Sequence, residues 1–500
     1  MKRSAHRLIA ITALLTLILS AASSCGDSKE PSANPTGTNP SSSEAIETQP
    51  TETGEFADRK NLNYQIGDFD FNGETFTVCY TSEQMEEPYF AEQENGTVIN
   101  DAVYKRERDI EEQFHVDITN YDVGGNFHEV AEAVRISTAA GAQAYDLTMT
   151  HTFAGLTGLM TAGYLYDWND VPHIDMTQDW WNHNIADTLT IHDKLFANVN
   201  DLIYQRPIVI YFNKDMISSF DLENPYELVH NGTWTWEKLR SMGMAVAADL
   251  DGNGKYDEQD RYGYGVTLGW QAISVVQSCG IQITNTDENG MYNFDNLATD
   301  KMASIFDQYY DILYNSNHMF YNVVYTVEMG AVNGDTPLFK NGQLLFLHSN
   351  TELLPRFREI SVNFGILPLP KYDEKQDGYY SMADTQMLIV PSDVKNLEMT
   401  GVITEALAYE SYKNVVPAVY ETMFANKYLR DEESYDMFNI TRAGLVYEPL
   451  WTYGEGADLV YALPNMMSAQ NKDLISYYDK RKKSTERTIN RVIESIDKLS

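Results

Sequence analysis

The first third of the chain alternates between two patterns of hydrophobic and polar residues. Short runs in which apolar residues recur at every second position predict strands, and longer runs in which they recur every three or four positions predict helices. The predicted strands are residues 75–80, 115–119 and 145–150. The predicted helices are one capped by Asn100 that buries Val103, Ile110 and Phe114, and one that carries Val130 and Val134 and ends near Gly141. Strands that alternate with helices predict an α/β fold with a parallel sheet.

The same patterns continue through the rest of the chain. Residues 208–212 form a short run of β-branched and aromatic residues, which predicts a buried strand, and the turn formers Asn213 and Asp215 follow it. Thr235 is placed to cap the next helix. Apolar residues at helical spacing over 489–499 predict an amphipathic final helix.

Polar and aromatic residues follow the predicted strands of the first third. Ligands of parallel α/β sheets bind beyond the carboxyl ends of the strands. Tyr80 and Ser82 follow the first strand, and His151 and Thr152 follow the third. We therefore expect these four residues to contact a ligand. The alternative for an aromatic residue such as Tyr80 is a place in the core.

An acidic loop lies at residues 249–260. Oxygen-bearing side chains alternate there around Gly254, as they do in a loop that wraps a hard cation. In the order of an EF-hand loop, the candidate metal ligands are Asp249, Asp251, Asn253, Lys255 through its carbonyl, Asp257 and Asp260. Flanking helices of an EF-hand are not evident, and Asp260 stands where a bidentate Glu is usual. The loop is therefore either a structural calcium site or an acidic surface turn.

The amino end carries a targeting signal. Basic residues precede an apolar run over 8–19, which is too short to span about 30 Å of hydrocarbon, so residues 1–24 are interpreted as a signal peptide. Small residues directly before Cys25 resemble a bacterial lipobox, in which the cysteine is lipidated. An ordinary secretory peptide is the alternative. Residues 25–61, rich in Ser, Thr and Pro, cannot bury enough apolar surface to offset chain entropy and are predicted to be a disordered tether.

Composition narrows the class of protein further. The formal net charge of −37 becomes −40 when the leader's Lys2, Arg3 and Arg7 are removed. A protein this acidic is not expected to bind nucleic acid, to attract anionic ligands by its charge or to bind peripherally to anionic lipid. The chain beyond the tether is too long for one ordinary core, which predicts two lobes. Cys79 and Cys279 are predicted to be buried thiols rather than a disulfide framework.

The order of these features resembles that of the extracellular solute-binding proteins of ABC importers, in the branch that includes maltose-binding protein. The resemblance is carried by Tyr211-Phe-Asn-Lys-Asp, Thr235-Trp-Glu-Lys-Leu, the acidic loop and Gly365-Ile-Leu-Pro-Leu-Pro. It covers about residues 70–495, with Phe212 where the family commonly has Tyr.

This resemblance implies a two-lobed, type II periplasmic-binding-protein-like α/β fold. Each lobe is then a mixed or parallel sheet flanked by helices, and the ligand cleft lies between the lobes. The implied boundaries are 62–200 for the first part of lobe 1, 201–382 for lobe 2, and 383–500 for the return to lobe 1 and the C-terminal helices, which partly pack on lobe 2.

Further ligand contacts are expected near the passages between the lobes and at the strand ends of lobe 2. They are Trp180, Trp181, Asn200, Asp201, Tyr204, Arg206, Trp270, His348, Asn350, Asp384 and Trp451. Adjacent side chains point in different directions, so one of Trp180 and Trp181 is expected to pack in the core. The other is expected either to offer a flat face to a sugar ring or to cover a lobe surface. A metal-binding role for His348 is not expected, because no partner His lies at ligand spacing.

The resemblance also implies a function. The protein would be a monomer, lipid-anchored through Cys25 on the extracellular face of a bacterial membrane, that captures a carbohydrate and delivers it to an ABC permease. Aromatic faces combined with Asn, Asp, Gln and Arg suit the faces of an oligosaccharide. The alternatives are a glycoside hydrolase-like lipoprotein, a carbohydrate adhesin, or binding of a peptide or another polar solute. No nucleophile elbow, His-Glu-x-x-His motif or P-loop is present, so an enzyme is not expected.

Overall fold

The computed structural model describes residues 59–82, 88–323, 337–384, 386–420 and 431–499 of the 500-residue chain. The predicted signal peptide, the predicted lipidation site Cys25 and nearly all of the predicted tether therefore lie outside the described residues. The side chains of Lys60, Trp270 and Asp384 also lie outside them.

The elements follow one another in a largely α/β order. The strands are β1 Glu74–Tyr80, β2 Val116–Asp122, β3 Leu147–His151, β4 Arg206–Asn213, β5 Tyr262–Val266, β6 Asn285–Thr286, β7 Tyr292–Asn293, β8 Phe320–Asn322, β9 Leu344–Asn350, β10 Phe364–Leu367, β11 Ala383–Asp384 and β12 Gln386–Ile389. The helices are α1 Val98–Phe114, α2 Phe127–Ala140, α3 Leu156–Thr161, α4 His183–Leu189, α5 Lys214–Ser219, α6 Pro225–His230, α7 Trp236–Val246, α8 Trp270–Ser278, α9 Asp300–Tyr314, α10 Pro337–Lys340, α11 Leu397–Glu410, α12 Val416–Tyr420, α13 Glu432–Ala443, α14 Pro449–Tyr453, α15 Ala462–Ser468 and α16 Leu474–Asp497.

The first sheet has the order β12–β3–β1–β2 among the described residues. β1 pairs in parallel with β2 and β3, and β12 runs antiparallel to β3. The three strands and two helices predicted for this part are confirmed. The Asn100 cap is wrong, because the extended backbone that a cap requires belongs to Thr97 and α1 begins at Val98. Gly141 ends α2 as predicted, in the left-handed conformation with φ 61°.

The second sheet is mixed and has the order β10–β4–β9–β5–β8, with β11 beside the start of β4. β4 runs antiparallel to β10 and β9, whereas β5 is parallel to β9 and β8. The buried strand predicted at residues 208–212 is confirmed as the centre of β4. Thr235 caps α7 as predicted, since its side chain accepts the Lys238 N–H at 3.2 Å.

Three passages connect the parts of the chain that build the two sheets. The first crossing, residues 198–206, leads from the first sheet, where Asn198 bridges to β12, into β4. The second crossing lies between β11, which pairs with β4, and β12. The third crossing, residues 443–448, lies between α13, which packs on β4, β10 and α6, and α14, which packs on α3 and α4. The predicted lobe boundaries stay a prediction.

The carboxyl-terminal helices pack on both sides of the molecule. α16 contacts α3 on the first-sheet side and β7 on the other, and it buries Ile489, Val492, Ile493 and Ile496 as its amphipathic pattern predicted. Cys79 and Cys279 are buried free thiols, as expected. Over the described ranges, we find no helix with both the length and the apolar character needed to cross a bilayer.

Candidate functional site

The carboxyl end of the first sheet gathers the strand-end residues that the sequence singled out. Tyr80 closes β1 and packs edge-on against Phe90, with ring centroids 5.1 Å apart. Ser82 is exposed, and its N–H and hydroxyl both donate to the Asp122 carboxylate at the end of β2. β1, β2 and β3 are parallel, so these ends lie along one edge.

His151 and Thr152 lie at the end of β3 on the same edge. The His151 ring stacks on Phe127 at 4.6 Å, and its Nδ1 accepts the Phe153 N–H at 3.3 Å. His151 is buried and Thr152 is partly exposed. β12 runs antiparallel to β3, so Gln386 at its start lies opposite His151.

The corresponding edge of the second sheet carries a buried ion pair. β4 and β9 are antiparallel with Ile208 opposite Asn350, which brings Arg206 beside the end of β9. A guanidinium nitrogen of Arg206 lies 3.3 Å from the Glu352 carboxylate, and the two side chains are 12% and 3% exposed. The side-chain amide of Asn350 donates to the same carboxylate at 3.3 Å, and the backbone carbonyl of Asn350 accepts the Tyr211 hydroxyl at 2.8 Å.

The first crossing joins these two edges. The Tyr204 ring stacks on Tyr89 at 4.6 Å, and its hydroxyl donates to the Pro88 carbonyl at 3.0 Å. The Tyr89 hydroxyl donates to Gln386 at 3.0 Å. Sequence reasoning missed Tyr89 and Glu352; of the two, only Glu352 carried a signal, because it lies two residues after the predicted contact Asn350. We call the two edges and this link the strand-end surface.

His348 was predicted as a ligand contact, and this prediction is wrong. The residue is fully buried, with Nδ1 2.8 Å from the Tyr264 hydroxyl and Nε2 3.0 Å from the Ser274 hydroxyl. Burial lowers the pKa of His348 to about 3, so the ring is neutral. The physical reason is the position of the residue within β9, a strand whose residues are all buried.

The expectation that only one of Trp180 and Trp181 faces the core is also wrong. Both are buried, and both indole N–H groups donate to Glu405 at 2.9 Å. The two residues end a turn closed by the Trp181 N–H and the Gln178 carbonyl, so the alternating faces of a strand do not apply. A single carboxylate has an oxygen for each donor. Burial raises the pKa of Glu405 to about 7.

Trp451 is not available for stacking on a ligand either. It is 4% exposed and lies in α14, which packs among α3, α4 and α16. Its indole nitrogen has no hydrogen-bond partner among the described residues. Trp270 and Asp384 were also predicted contacts; their backbones begin α8 and end β11, but their side chains lie outside the described part.

Four of the predicted contacts come together at a small polar cavity of about 160 Å³. They are Trp180, Trp181, Asn200 and Asp201, and Arg59, Asp179 and Arg442 also line this cavity. Asn200 is buried, with its Oδ1 accepting the Leu202 N–H at 3.0 Å. The position near the first crossing follows the expectation, although the indole faces are packed in the core.

The acidic loop brings together three of its six candidate ligands. Carboxylate oxygens of Asp249, Asp251 and Asp260 lie within 4.8 Å of one another. Asp260 is fully buried and accepts the Leu250 and Asp257 N–H groups at 2.8 and 2.9 Å. The N–H of Gly254 lowers the pKa of Asp249, which keeps that carboxylate charged. The Asp257 carboxylate is not part of this cluster, and the Asn253 amide donates to Asp251 at 2.6 Å.

A larger cavity, of about 950 Å³, lies beside the third crossing. Its walls come from α4, from residues 277–282 at the end of α8, from Lys301 in α9, from residues 372–380 and from residues 443–448. Among the predicted ligand contacts whose side chains the structure describes, none lines this cavity. The pattern of hydrophobic and polar positions gives no sign of this cavity, because its walls come from segments far apart in the chain.

Comparison with known proteins identifies the fold. No family model and no curated protein matches the sequence. The structure is similar to the galacto-N-biose-/lacto-N-biose I-binding protein of an ABC transporter from Bifidobacterium longum, with a TM-score of 0.58 and 12% identity over 85% of this chain and 98% of that one. It is similar to UgpB from Mycobacterium tuberculosis in complex with glycerophosphocholine, with a TM-score of 0.56 and 15% identity over 84% and 99% of the two chains.

A third similar structure is an ABC substrate-binding protein from Listeria monocytogenes in complex with cycloalternan. Its TM-score is 0.53, with 13% identity over 84% of this chain and 99% of that chain. At such identities the likeness shows the fold. The predicted two-lobed, type II binding-protein architecture, with mixed sheets flanked by helices, is therefore confirmed.

Proposed function

We propose that this protein is the solute-binding component of an ABC importer and captures a carbohydrate between its two lobes. The observation that carries the proposal is the architecture: two sheets, each with a polar strand-end edge, joined by crossings about which lobes can close. The similar structure from Bifidobacterium longum is a galacto-N-biose-/lacto-N-biose I-binding protein, and the one from Listeria monocytogenes is a complex with cycloalternan. The closed form would be the one that a permease recognises.

The chemistry of the strand-end surface supports a hydroxyl-rich ligand. Arg206 supplies donors, Glu352 supplies acceptors, and Asn350 supplies both, which is the mixture that sugar hydroxyls require. Tyr80 adds a partly exposed aromatic ring at the facing edge. Saccharides present apolar C–H faces to such rings.

Thermal unfolding of the protein against a panel of mono- and oligosaccharides tests this function. A ligand that binds only the folded state stabilises it by RT ln(1 + [L]/Kd), about 2.7 kcal/mol at 100 times Kd. We expect one sugar class to raise the midpoint and to be recovered unchanged, and Arg206→Ala to reduce the shift. A shift only with glycerophosphocholine or a peptide would remove carbohydrate from the proposal, and breakdown of the sugar would make the protein a hydrolase.

We also propose that the mature chain is anchored through lipid on Cys25 and works as a monomer at the extracellular face of the membrane. The support is the lipobox-like sequence before Cys25 and the Ser-, Thr- and Pro-rich stretch after it. Cys25→Ser should release the protein from the membrane fraction of the producing bacterium. Retention of the variant on the membrane would refute the anchor.

We propose further that the acidic loop binds a structural calcium ion. Asp249, Asp251 and Asp260 cluster without an ion-pair partner among the described residues, and a cation would relieve their mutual repulsion. Removal of calcium with EDTA should lower the unfolding midpoint, and added calcium should restore it. The Asp251→Asn variant should lose this response. If EDTA did not change the unfolding midpoint of the wild type, the loop would be an acidic surface turn without a bound calcium ion.

A further inference from the structure

The cavity of about 950 Å³ beside the third crossing is separate from the strand-end surface. α4 lies on the first-sheet side, next to the bridge between Trp181 and Asn200. The opposite walls belong to the second-sheet side, where the Gln376 amide donates to the Ser278 carbonyl at 2.8 Å. Residues 443–448 run between these walls. A molecule in this cavity would therefore touch parts of the chain from both sides.

Gln277, at the end of α8, is the residue that points most directly to a ligand. It lines the cavity, its exposure is 3%, and neither its Oε1 nor its Nε2 has a hydrogen-bond partner among the described residues. A buried amide without hydrogen-bond partners destabilises the folded state, and such groups are rare in native proteins. A ligand with both donor and acceptor groups would satisfy it.

The charged residues of the wall restrict the chemistry of that ligand. Lys301 and Lys375 line the cavity, and neither has an ion-pair partner in the described part of the chain. Four carboxylates line it as well, those of Asp187, Asp373, Asp377 and Glu448. Asp377 accepts the Tyr380 hydroxyl at 2.9 Å, and Glu448 accepts the backbone N–H groups of residues 283–284. Ammonium groups donate and carboxylates accept, so a wall with both signs favours neutral hydroxyl groups. The acidic chain disfavours an anion.

We propose that this cavity is a second binding site, which takes a neutral, hydroxyl-rich molecule of the saccharide or polyol class. The volume is at the upper end of the range for small-molecule sites, which suits more than one sugar ring. Gln277 shares hydrogen bonds with ring hydroxyls, Lys301 and Lys375 donate to them, and Asp187 accepts from them. The proposal does not rest on carbohydrate binding at the strand-end surface.

Isothermal titration with maltotriose and sucrose, compared with glucuronate and glucosamine, tests the site. Gln277→Leu should weaken binding of the neutral sugars at this site about tenfold, the effect of one or two lost hydrogen bonds. Gln271→Leu is the matched control: Gln271 is on the same helix, is equally buried and has an unpartnered amide, but it does not line the cavity. Lys375→Met, at an exposed position, should weaken binding without any effect on folding.

Arg206→Ala separates this site from the strand-end surface. Sugar binding that survives Arg206→Ala and is weakened by Gln277→Leu supports the proposal, whether or not the strand-end surface also binds sugar. Binding that is lost in Arg206→Ala and indifferent to Gln277→Leu and Lys375→Met would overturn it. The absence of any neutral sugar binding, a stronger affinity for glucuronate or glucosamine, or an equal loss in Gln271→Leu would also overturn it.

Discussion

Glu405 and Glu448 are two buried carboxylates whose pKa burial raises, to about 7 for Glu405. Glu405, on α11, accepts the indole N–H groups of Trp180 and Trp181, and all three residues lie on the first-sheet side. Glu448, in the third crossing, accepts the backbone N–H groups of residues 283–284, which follow α8 on the other side, at 2.8 and 3.0 Å. One carboxylate therefore organises a single side of the molecule, and the other joins the two sides.

The two carboxylates differ in the groups that they accept hydrogen bonds from. Residues 283–284 belong to no strand or helix, so Glu448 supplies the acceptors that a sheet would otherwise give their amides. It also accepts the Thr284 hydroxyl, and its side chain caps α14 at Leu450. The partners of Glu405 are mainly side chains that carry their own apolar packing, such as the Trp180 ring on Tyr64 at 4.8 Å. Loss of Glu448 should therefore disturb backbone as well as packing.

Glu448→Ala should have the largest effect, a loss of about 3–5 kcal/mol of unfolding free energy, because it strands several buried donors at once. Urea unfolding measures the loss, and amide hydrogen exchange should show faster exchange at Ile283 and Thr284. Glu448→Gln, which keeps one acceptor oxygen, should lose less. Unchanged exchange at these two amides in the Ala variant would mean that the third crossing is held by other contacts.

Glu405→Ala should cost about 2–4 kcal/mol, since it leaves two buried indole N–H groups without an acceptor. Here the exchange at Ile283 and Thr284 should stay as in the wild type, because the change is confined to the first-sheet side. Urea unfolding measures the loss of stability, and the NMR shifts of the indole protons report the loss of their acceptor. Loss of protection at Ile283 in this variant would contradict the division between the two carboxylates.

The pH dependence of stability should separate ionisation from hydrogen bonding at Glu405. Its pKa is raised from 4.5 to about 7, so the folded state binds more protons than the unfolded state between these values, and stability falls as pH rises through this window. In Glu405→Gln that part of the fall, on the order of 2–3 kcal/mol, should vanish. Burial raises the pKa of Glu107 to about 7 and that of Asp146 to about 6, so these two residues should still contribute to the fall of stability with pH in this variant.

Unfolding free energies at pH 5 and pH 7.5 give this comparison directly. The exposed Glu494→Gln is the matched control, and its slope should equal that of the wild type. An unchanged slope in Glu405→Gln would show that the carboxylate is ionised in the folded state across the whole window.

These partners explain which parts of the structure the sequence could predict. Strands, helices and the cap at Thr235 follow from periods and spacings within about ten residues, and they were predicted correctly. The acceptor for Trp180 and Trp181 lies more than 220 residues away, and the partners of Glu448 lie about 165 residues away. Periodicity carries no information on such pairs, so it could not predict that both adjacent tryptophans are buried.

The candidate site divides in the same way. The rule that ligands bind beyond the carboxyl ends of parallel strands placed Tyr80 and Ser82 on one edge of the first sheet, because that rule depends only on strand direction. Arg206 and His348 were expected from the resemblance. Arg206 lies at the start of β4, beside the end of β9, whereas His348, two positions before the end of a buried strand, remains in the core. The cavity beside the third crossing could not be found at all, since its walls meet only after the whole chain has folded.

Trp180→Phe should have the smallest effect, about 1–2 kcal/mol, because the aromatic ring is largely kept and one hydrogen bond is lost. With one donor fewer, the ionised form of Glu405 is stabilised less, so its pKa should rise further and the fall of stability should extend to higher pH. Trp181→Phe should act in the same way through its own indole N–H. If Trp180→Phe instead weakened sugar binding and left the pH dependence of stability unchanged, Trp180 would act as a residue that stacks on the sugar.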